Sequence, residues 1–184
     1  MSKGKLLIIS GPSGVGKGTI VKELLRLRPS ASLSVSCTTR KPREGEKEGV
    51  SYFFITREQF EKQIAEGGLL EYSEHFGNYY GTPKDFVEEM LKEGDVILEI
   101  EVDGGLIVKS KMPSAILIMI APPDRDTLYS RLKGRGTEDE DTIAFRLKRA
   151  DYELGKSEVY DYVVVNDELS EAVGKIISIM EKEN

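Results

Sequence analysis

Seven residues near the N-terminus constrain this chain more than any other stretch. Gly11-Pro12-Ser13-Gly14-Val15-Gly16-Lys17 follows a short apolar run over 5–10 (KLLIIS). It precedes a stretch over 17–28 with apolar residues at Ile20, Val21, Leu24, Leu25 and Leu27, a helical spacing closed by Pro29. A buried strand, a glycine-rich turn and a helix, in that order, form the setting of a phosphate-binding loop. The glycines let successive backbone N–H groups turn inward around phosphate oxygens. The helix N-terminus adds partial positive charge, and Lys17 adds a full one at the β and γ phosphates. The bland alternative is a glycine-rich turn with a surface lysine; the full spacing and correct flanks outweigh it. Gly11, Pro12, Ser13, Gly14, Val15, Gly16, Lys17, Gly18 and Thr19 are therefore expected to hold the phosphates of a nucleoside triphosphate. Gly18 stands where a Ser or Thr usually ligates Mg²⁺. Either Thr19 supplies the hydroxyl, or phosphates and water hold most of the metal.

The rest of the chain reads as an alternation of strands and helices. Apolar runs over 5–10, 33–37, 95–101 (DVILEIE), 115–121 (AILIMIA) and 162–165 are expected strands, with shorter ones over 52–55 and 69–76. Helical patterns cover 57–66, 83–92, 124–133, 139–156 and 168–182. This spacing predicts an α/β three-layer sandwich with a mostly parallel core sheet and helices on both faces. The stretch over 33–94 has weaker apolar runs and more glycine and tyrosine, and reads as an inserted subdomain. With 184 residues the chain suits one domain with a real core. No apolar run approaches the ~20 residues of a membrane span, and the N-terminal apolar run is too short for a secretory signal. A single cysteine, Cys37, allows no internal disulfide and fits a reducing cytoplasm. A net charge of −6 argues against general nucleic-acid binding and leaves no evident need for a protein partner. An acidic protein that handles anions must concentrate its cations locally: Lys17; Arg40, Lys41 and Arg43; Arg131, Lys133 and Arg135; Arg146, Lys148 and Arg149.

Further motifs narrow the reading. Ser34-Val-Ser-Cys-Thr-Thr-Arg-Lys-Pro-Arg43, Gly77-Asn-Tyr-Tyr-Gly81, Ile120-Ala-Pro-Pro123 and Arg131-Leu-Lys-Gly-Arg-Gly-Thr137 run in order behind the loop, through Val165-Asn-Asp167. Together they resemble guanylate kinase, a family in the nucleoside monophosphate kinase group of P-loop proteins, over nearly the whole chain. Composition and periodicity alone stop at a nucleotide-dependent phosphotransferase. The resemblance implies transfer of the γ-phosphate of ATP, with Mg²⁺, to GMP, and purine nucleotide metabolism as the setting. It also implies three parts: a core over 1–34, 95–124 and 157–184, a GMP-binding subdomain over 35–94 and a small helical lid over 125–156.

The resemblance also assigns residues. Arg40 and Arg43 would grip the GMP phosphate, a task suited to the guanidinium fork, with Tyr52 and Tyr80 adding phenolic donors. Glu71 would accept the adjacent N1–H and N2–H₂ donors of guanine, a pair adenine lacks, while Ser36 and Thr82 hydroxyls meet O6 or N7. The family often has Ser where Thr82 stands. Glu99 and Glu101 fall on one face of the 95–101 strand by alternation, placed for GMP or water-mediated Mg²⁺ contact; many relatives have Asp here. Arg131, Arg135 and Arg146 would close over the transferring phosphoryl group with Lys17 and Arg40, and the Gly134-Arg-Gly136 bend suits a hinge. Each has a bland counterpart: a solvated basic turn, half-buried tyrosines, an exposed strand glutamate, helix-surface arginines. Lys148 and Arg149 read as surface residues, His75 as a strand-end structural residue, and Cys37 as a small packed residue near the GMP site. Asn166 and Asp167 follow the last strand, at a position for touching adenine. Two rival functions stay in view: a noncatalytic protein-binding module of the same fold, and a kinase for another phosphorylated acceptor.

Overall fold

The computed structural model describes residues 4–134 and 139–183. Along the chain they form β1 (Leu6–Ser10), α1 (Lys17–Leu27), β2 (Ser32–Leu33), β3 (Cys37–Thr38), β4 (Phe53–Phe54), α2 (Arg57–Ala65), β5 (Leu69–His75), β6 (Asn78–Pro83) and α3 (Lys84–Glu93). There follow β7 (Val96–Glu99), α4 (Val102–Lys111), β8 (Ile116–Ala121), α5 (Arg125–Lys133), α6 (Glu140–Leu154), a 3₁₀ turn (Ser157–Val159), β9 (Tyr162–Val165) and α7 (Leu169–Lys182).

Five strands make a parallel sheet in the order β2-β7-β1-β8-β9. Its strands alternate by the two-residue period of a pleated chain. Leu7, Ile9, Ile97, Ile116, Ile118 and Ile120 point into one layer, against Ile20, Val21 and Leu24 of α1 and Ala172, Val173 and Ile176 of α7. Leu6, Ile8, Val96, Leu98, Leu117 and Met119 point into the other, against Val87 and Leu91 of α3 and Val102 and Val108 of α4. Both faces are covered, which is why these strands read as continuous apolar runs rather than alternating ones. The sandwich expected from the sequence is the observed architecture.

A second sheet, β4-β3-β6-β5, lies outside the core. Its small apolar cluster centres on the fully buried Phe60 of α2, with Cys37 and Leu69. The Phe60 ring stacks on Tyr79 at 5.0 Å between centroids. Thr56 and Gln59 cap α2 reciprocally, satisfying two backbone donors at its start. A third cluster, Leu128, Leu132, Ile143 and Leu147, holds α5 against α6.

Four elements differ from the sequence reading. The expected strand over 33–37 is two strands in different sheets: β2 pairs with β7, and β3 pairs with β4 and β6. The chain changes sheets between them, so one run serves two partners. The strand over 95–101 stops at Glu99, and Glu101 is instead the N-cap residue of α4. The alternation argument that put Glu99 and Glu101 on one strand face therefore fails. The helix α4 itself, and strand β6, had no counterpart in the reading. Gly104-Gly105 in the first turns of α4 and the Gly81 and Pro83 of β6 carry the wrong local propensities, and tertiary packing overrides them.

Phe60→Ala should cost about 3–5 kcal/mol by emptying a fully buried aromatic site. Urea unfolding followed by circular dichroism checks this; a loss below about 1 kcal/mol would contradict the central place given to Phe60.

Candidate active site

The loop that joins β1 to α1 runs over residues 11–16, and Gly11, Gly14 and Gly16 take positive φ in it. Gly16 is the N-cap of α1 at φ 98°, and a Cβ there would lie 2.6 Å from the Asn166 Nδ2. That backbone region and that close neighbour both demand glycine. Asn166, just past β9, is buried, and its amide donates to the Val15 carbonyl at 2.8 Å. Its own carbonyl accepts from Arg131 Nη1 at 3.0 Å. Asn166 thus braces the loop from beneath and tethers α5 to it, a structural part that its position after a strand did not disclose. Lys17 Nζ donates to the Gly11 carbonyl at 2.5 Å and the Pro12 carbonyl at 3.2 Å, which keeps the ammonium over the loop. From α6, Arg146 Nη1 donates to Ser13 Oγ at 2.5 Å, so a guanidinium from this helix reaches the loop directly.

A cleft of about 620 Å³ runs from Lys17 to the second sheet, within the range of small-molecule sites. At its far end Glu71 is almost wholly buried, at 7% exposure. Thr82 Oγ1 donates to Glu71 Oε1 at 2.6 Å. Burial raises the Glu71 carboxyl above its usual range; the Thr82 hydrogen bond opposes this and the nearby Glu101 charge adds to it. Ser36, Arg43, Tyr52 and Tyr80 line the same cleft, with Tyr52 and Tyr80 packed edge to face at 6.0 Å. Glu99 lines the floor beside Lys17. Partial removal of water raises its carboxyl, and the Lys17 charge pulls it back. Glu101 lines the cleft as well, and its Oε2 lies 3.6 Å from His75 Nε2.

The cleft therefore gathers Lys17, Ser36, Arg43, Tyr52, Glu71, Tyr80, Glu99 and Glu101. Thr82 is fully buried and reaches the cleft through Glu71. Arg40, Arg131 and Arg146 are held near it but do not line it. Arg40 forms a two-pronged pair with Glu46, at 2.9 and 2.8 Å, and lies 5.4 Å from the centre of the Tyr52 ring. Glu46 also accepts the Arg43 backbone N–H at 2.7 Å, so one carboxylate organises the whole basic turn. Arg135 lies outside the described residues. Thr19 is exposed on α1.

Some participants escaped the sequence reading. Arg149, taken there as a surface residue, lines the cleft and donates to Asp103 at 3.0 Å and Glu153 at 3.0 Å. Asp103 also accepts from Lys156 at 2.5 Å. Burial would raise the Asp103 carboxyl, but Lys156 and Arg149 together hold it below its usual range. These pairs tie α6 to the start of α4, and no local pattern signals them because 46 and 53 residues separate the partners. His75, expected to be merely structural, also lines the cleft. Burial pushes the Cys37 thiol up to about 12, so it stays an inert packing group.

As to a divalent metal, among the described residues no three or more His, Cys, Asp or Glu are grouped so that they could hold the ion by themselves. A Cβ on Gly18 would lie 3.7 Å from Glu99 Oε1, so a single hard carboxylate stands at the first turn of α1, beside the loop. That donor set fits Mg²⁺, which keeps its waters and takes one or two carboxylates plus substrate phosphates.

A braced glycine loop at the end of a parallel strand, beside a polar cleft, defines the class: a P-loop protein. The guanylate kinase family model matches residues 3–183. A guanylate kinase of Shouchella clausii is 51% identical over 183 residues, covering 99% of this chain and 89% of the relative. One of Streptococcus pneumoniae is 49% identical, covering 99% and 88%. The crystal structure of guanylate kinase from Anaplasma phagocytophilum superposes with a TM-score of 0.77 at 35% identity, covering 99% and 87%. The chain belongs to the guanylate kinase family.

The Arg40 guanidinium first, and the Arg43 backbone N–H with it, hold the Glu46 carboxyl down at about 2. A depressed folded value gives stability that is complete above the unfolded value of about 4.3 and is lost as pH falls through about 2. Glu46→Gln should thus lower the melting temperature at pH 7, and the difference from the parent should narrow below pH 4. A Glu46 titration midpoint at or above ~4.3 by NMR would contradict the pairing.

Proposed function

We propose that the cleft is where this chain joins its two substrates, with ATP phosphates on the glycine loop and GMP on the second sheet. The activity is that of its family: phosphate passes from ATP to GMP, giving ADP and GDP. The observation that carries the site assignment is the single cleft with Lys17 at one end and the buried Glu71 at the other. In this reading the core over 1–34, 95–124 and 157–184 holds the donor, 35–94 holds the acceptor and 125–156 is the lid. The small-molecule substrates and the single buried cysteine fit a cytoplasmic enzyme.

The acceptor is a phosphate oxygen, already ionised near neutral pH because its second pKa is about 6. No side chain has to remove a proton. The task is to bring two polyanions together in line and to offset the charge that shifts between them. Lys17, Gly11, Pro12, Ser13, Gly14, Val15, Gly16, Gly18 and Thr19 take the donor phosphates. Arg146, already at Ser13, and Arg131, tethered to Asn166, supply positive charge over the transferring group, with Arg135 assigned beside them from the family motif. Arg43, Tyr52 and Tyr80 take the GMP phosphate, and Arg40 is presented to it by Glu46. Glu71 and Ser36 read guanine; Thr82, expected to meet O6 or N7, instead donates its hydroxyl proton to Glu71 and orients that carboxylate. Glu99 and Glu101 stand between the two ends. Mg²⁺, when bound, neutralises phosphate charge; Glu99 would hold it, through water or directly, with Thr19 as the nearby hydroxyl.

The intact loop and its lid-helix arginine favour an enzyme over a noncatalytic binding module. A panel of GMP, dGMP, AMP, UMP and CMP with MgATP tests the assignment. We expect kcat/KM for GMP to exceed that for AMP by about 10⁴ or more, because adenine offers no pair of adjacent donors to the buried Glu71 carboxylate, which is left with Thr82 alone. Comparable turnover of AMP would sink the base-reading site, and no turnover with any acceptor would sink the enzyme reading. Lys17→Ala should lower kcat by about 10²–10³, since its charge matters most as the phosphate moves. An unchanged kcat would remove Lys17 from the reaction.

A further inference from the structure

The helix α4 opens with Val102-Asp103-Gly104-Gly105. Each glycine in a helix costs about 1 kcal/mol relative to alanine, so two in succession need a physical reason. For Gly105 the reason is packing in the core: a Cβ would lie 2.7 Å from the Tyr160 hydroxyl and 3.1 Å from Ser10 Oγ. Gly104 is different. It lines the cleft, and the three atoms nearest to an added Cβ all belong to Glu71: Oε2 at 3.1 Å, Cδ at 3.4 Å and Cγ at 3.5 Å.

Glu71 is thus bounded on two sides. Thr82 holds Oε1 by a 2.6 Å hydrogen bond, and the bare backbone of Gly104 faces Oε2. With Oε1 anchored, a methyl at residue 104 could be relieved only by turning the carboxylate or shifting its stem by a few tenths of an ångström. We infer that Gly104 is a positioning residue for base specificity: its missing side chain sets the orientation in which Glu71 accepts two adjacent donors from one purine edge. The inference rests on the reading above, in which Glu71 takes guanine N1–H and N2–H₂. A rotated carboxylate keeps one acceptor in reach of N1–H and loses the second, so the 2-amino contact suffers first.

The test compares GMP with IMP, the same nucleotide without the 2-amino group, at saturating MgATP in the full chain. In Gly104→Ala, kcat/KM for GMP should fall about 10-fold or more, as expected for one lost hydrogen bond to a charged group. That for IMP should fall far less, so the GMP-to-IMP ratio should drop at least 5-fold, with the KM for ATP unchanged. Gly105→Ala should lower the melting temperature and leave the ratio intact, which separates packing from specificity. Gly104→Ala placed on Glu71→Gln should produce no further drop in the ratio, because the glycine acts through that side chain. An unchanged ratio in folded Gly104→Ala, an equal fall for both nucleotides, or full additivity with Glu71→Gln would overturn the inference. So would an unfolded Gly104→Ala chain, since the nearest neighbours of the added methyl are Glu71 atoms alone. A Glu71→Gln variant that kept the parent ratio would instead defeat the reading of Glu71 itself, and this inference with it.

Discussion

Parallel pairing of β1 with β7 and β8, and of β8 with β9, brings the C-terminal ends of these strands to one edge of the sheet. From that edge come the glycine loop after Ser10, the carboxylate of Glu99 and the brace Asn166. An all-parallel sheet can offer this only if both faces are covered, because its strands are apolar on both sides. The two apolar layers against α1 and α7, and against α3 and α4, meet that condition. The position of the glycine loop beside the cleft thus follows from how the core is packed.

The second constraint is electrostatic. A chain with net charge −6 must still collect two polyanions. Several cations at and beside the cleft are held on acidic partners. Glu46 grips the Arg40 guanidinium and the Arg43 backbone together. Asp103 and Glu153 hold Arg149 at the cleft wall, and Asp103 also takes Lys156. The more exposed pairs, such as Arg149 with Asp103, contribute little to stability; in the proposed function such pairs place charge before the substrate arrives, which lowers the reorganisation needed at the moment of transfer.

Legibility in the sequence follows the same physics. The buried strands, the glycine loop and the amphipathic helices are written in short-range patterns and were read correctly in place. The helix α4 was not, because Gly104 and Gly105 are there for close contacts with Glu71 and with Tyr160 and Ser10, and those contacts oppose local propensity. The β2 and β3 segments looked like one strand because a run of residues does not say which sheet it joins. Lys17 and Arg43, which line the cleft, stand in recognisable motifs, whereas Glu71 stands in none and comes only with the resemblance of the whole chain. Glu46, Asp103 and Arg149 were missed because an ion pair's partner is chosen in space, and acidic residues are too common in this chain to stand out. Asn166 looked like a ligand contact and is a buried brace under Val15.

If ATP and GMP occupy separate ends of one cleft, their affinities respond to different residues. Calorimetric binding of GMP and of an ATP analogue, measured one at a time in Lys17→Ala and in Glu71→Gln, checks this. Glu71→Gln should weaken GMP about 10-fold or more and leave the ATP analogue within about 2-fold, while Lys17→Ala should leave GMP affinity intact. If Glu71→Gln weakened both ligands equally, or Lys17→Ala abolished GMP binding, the cleft would not be divided into a donor end and a guanine-reading end.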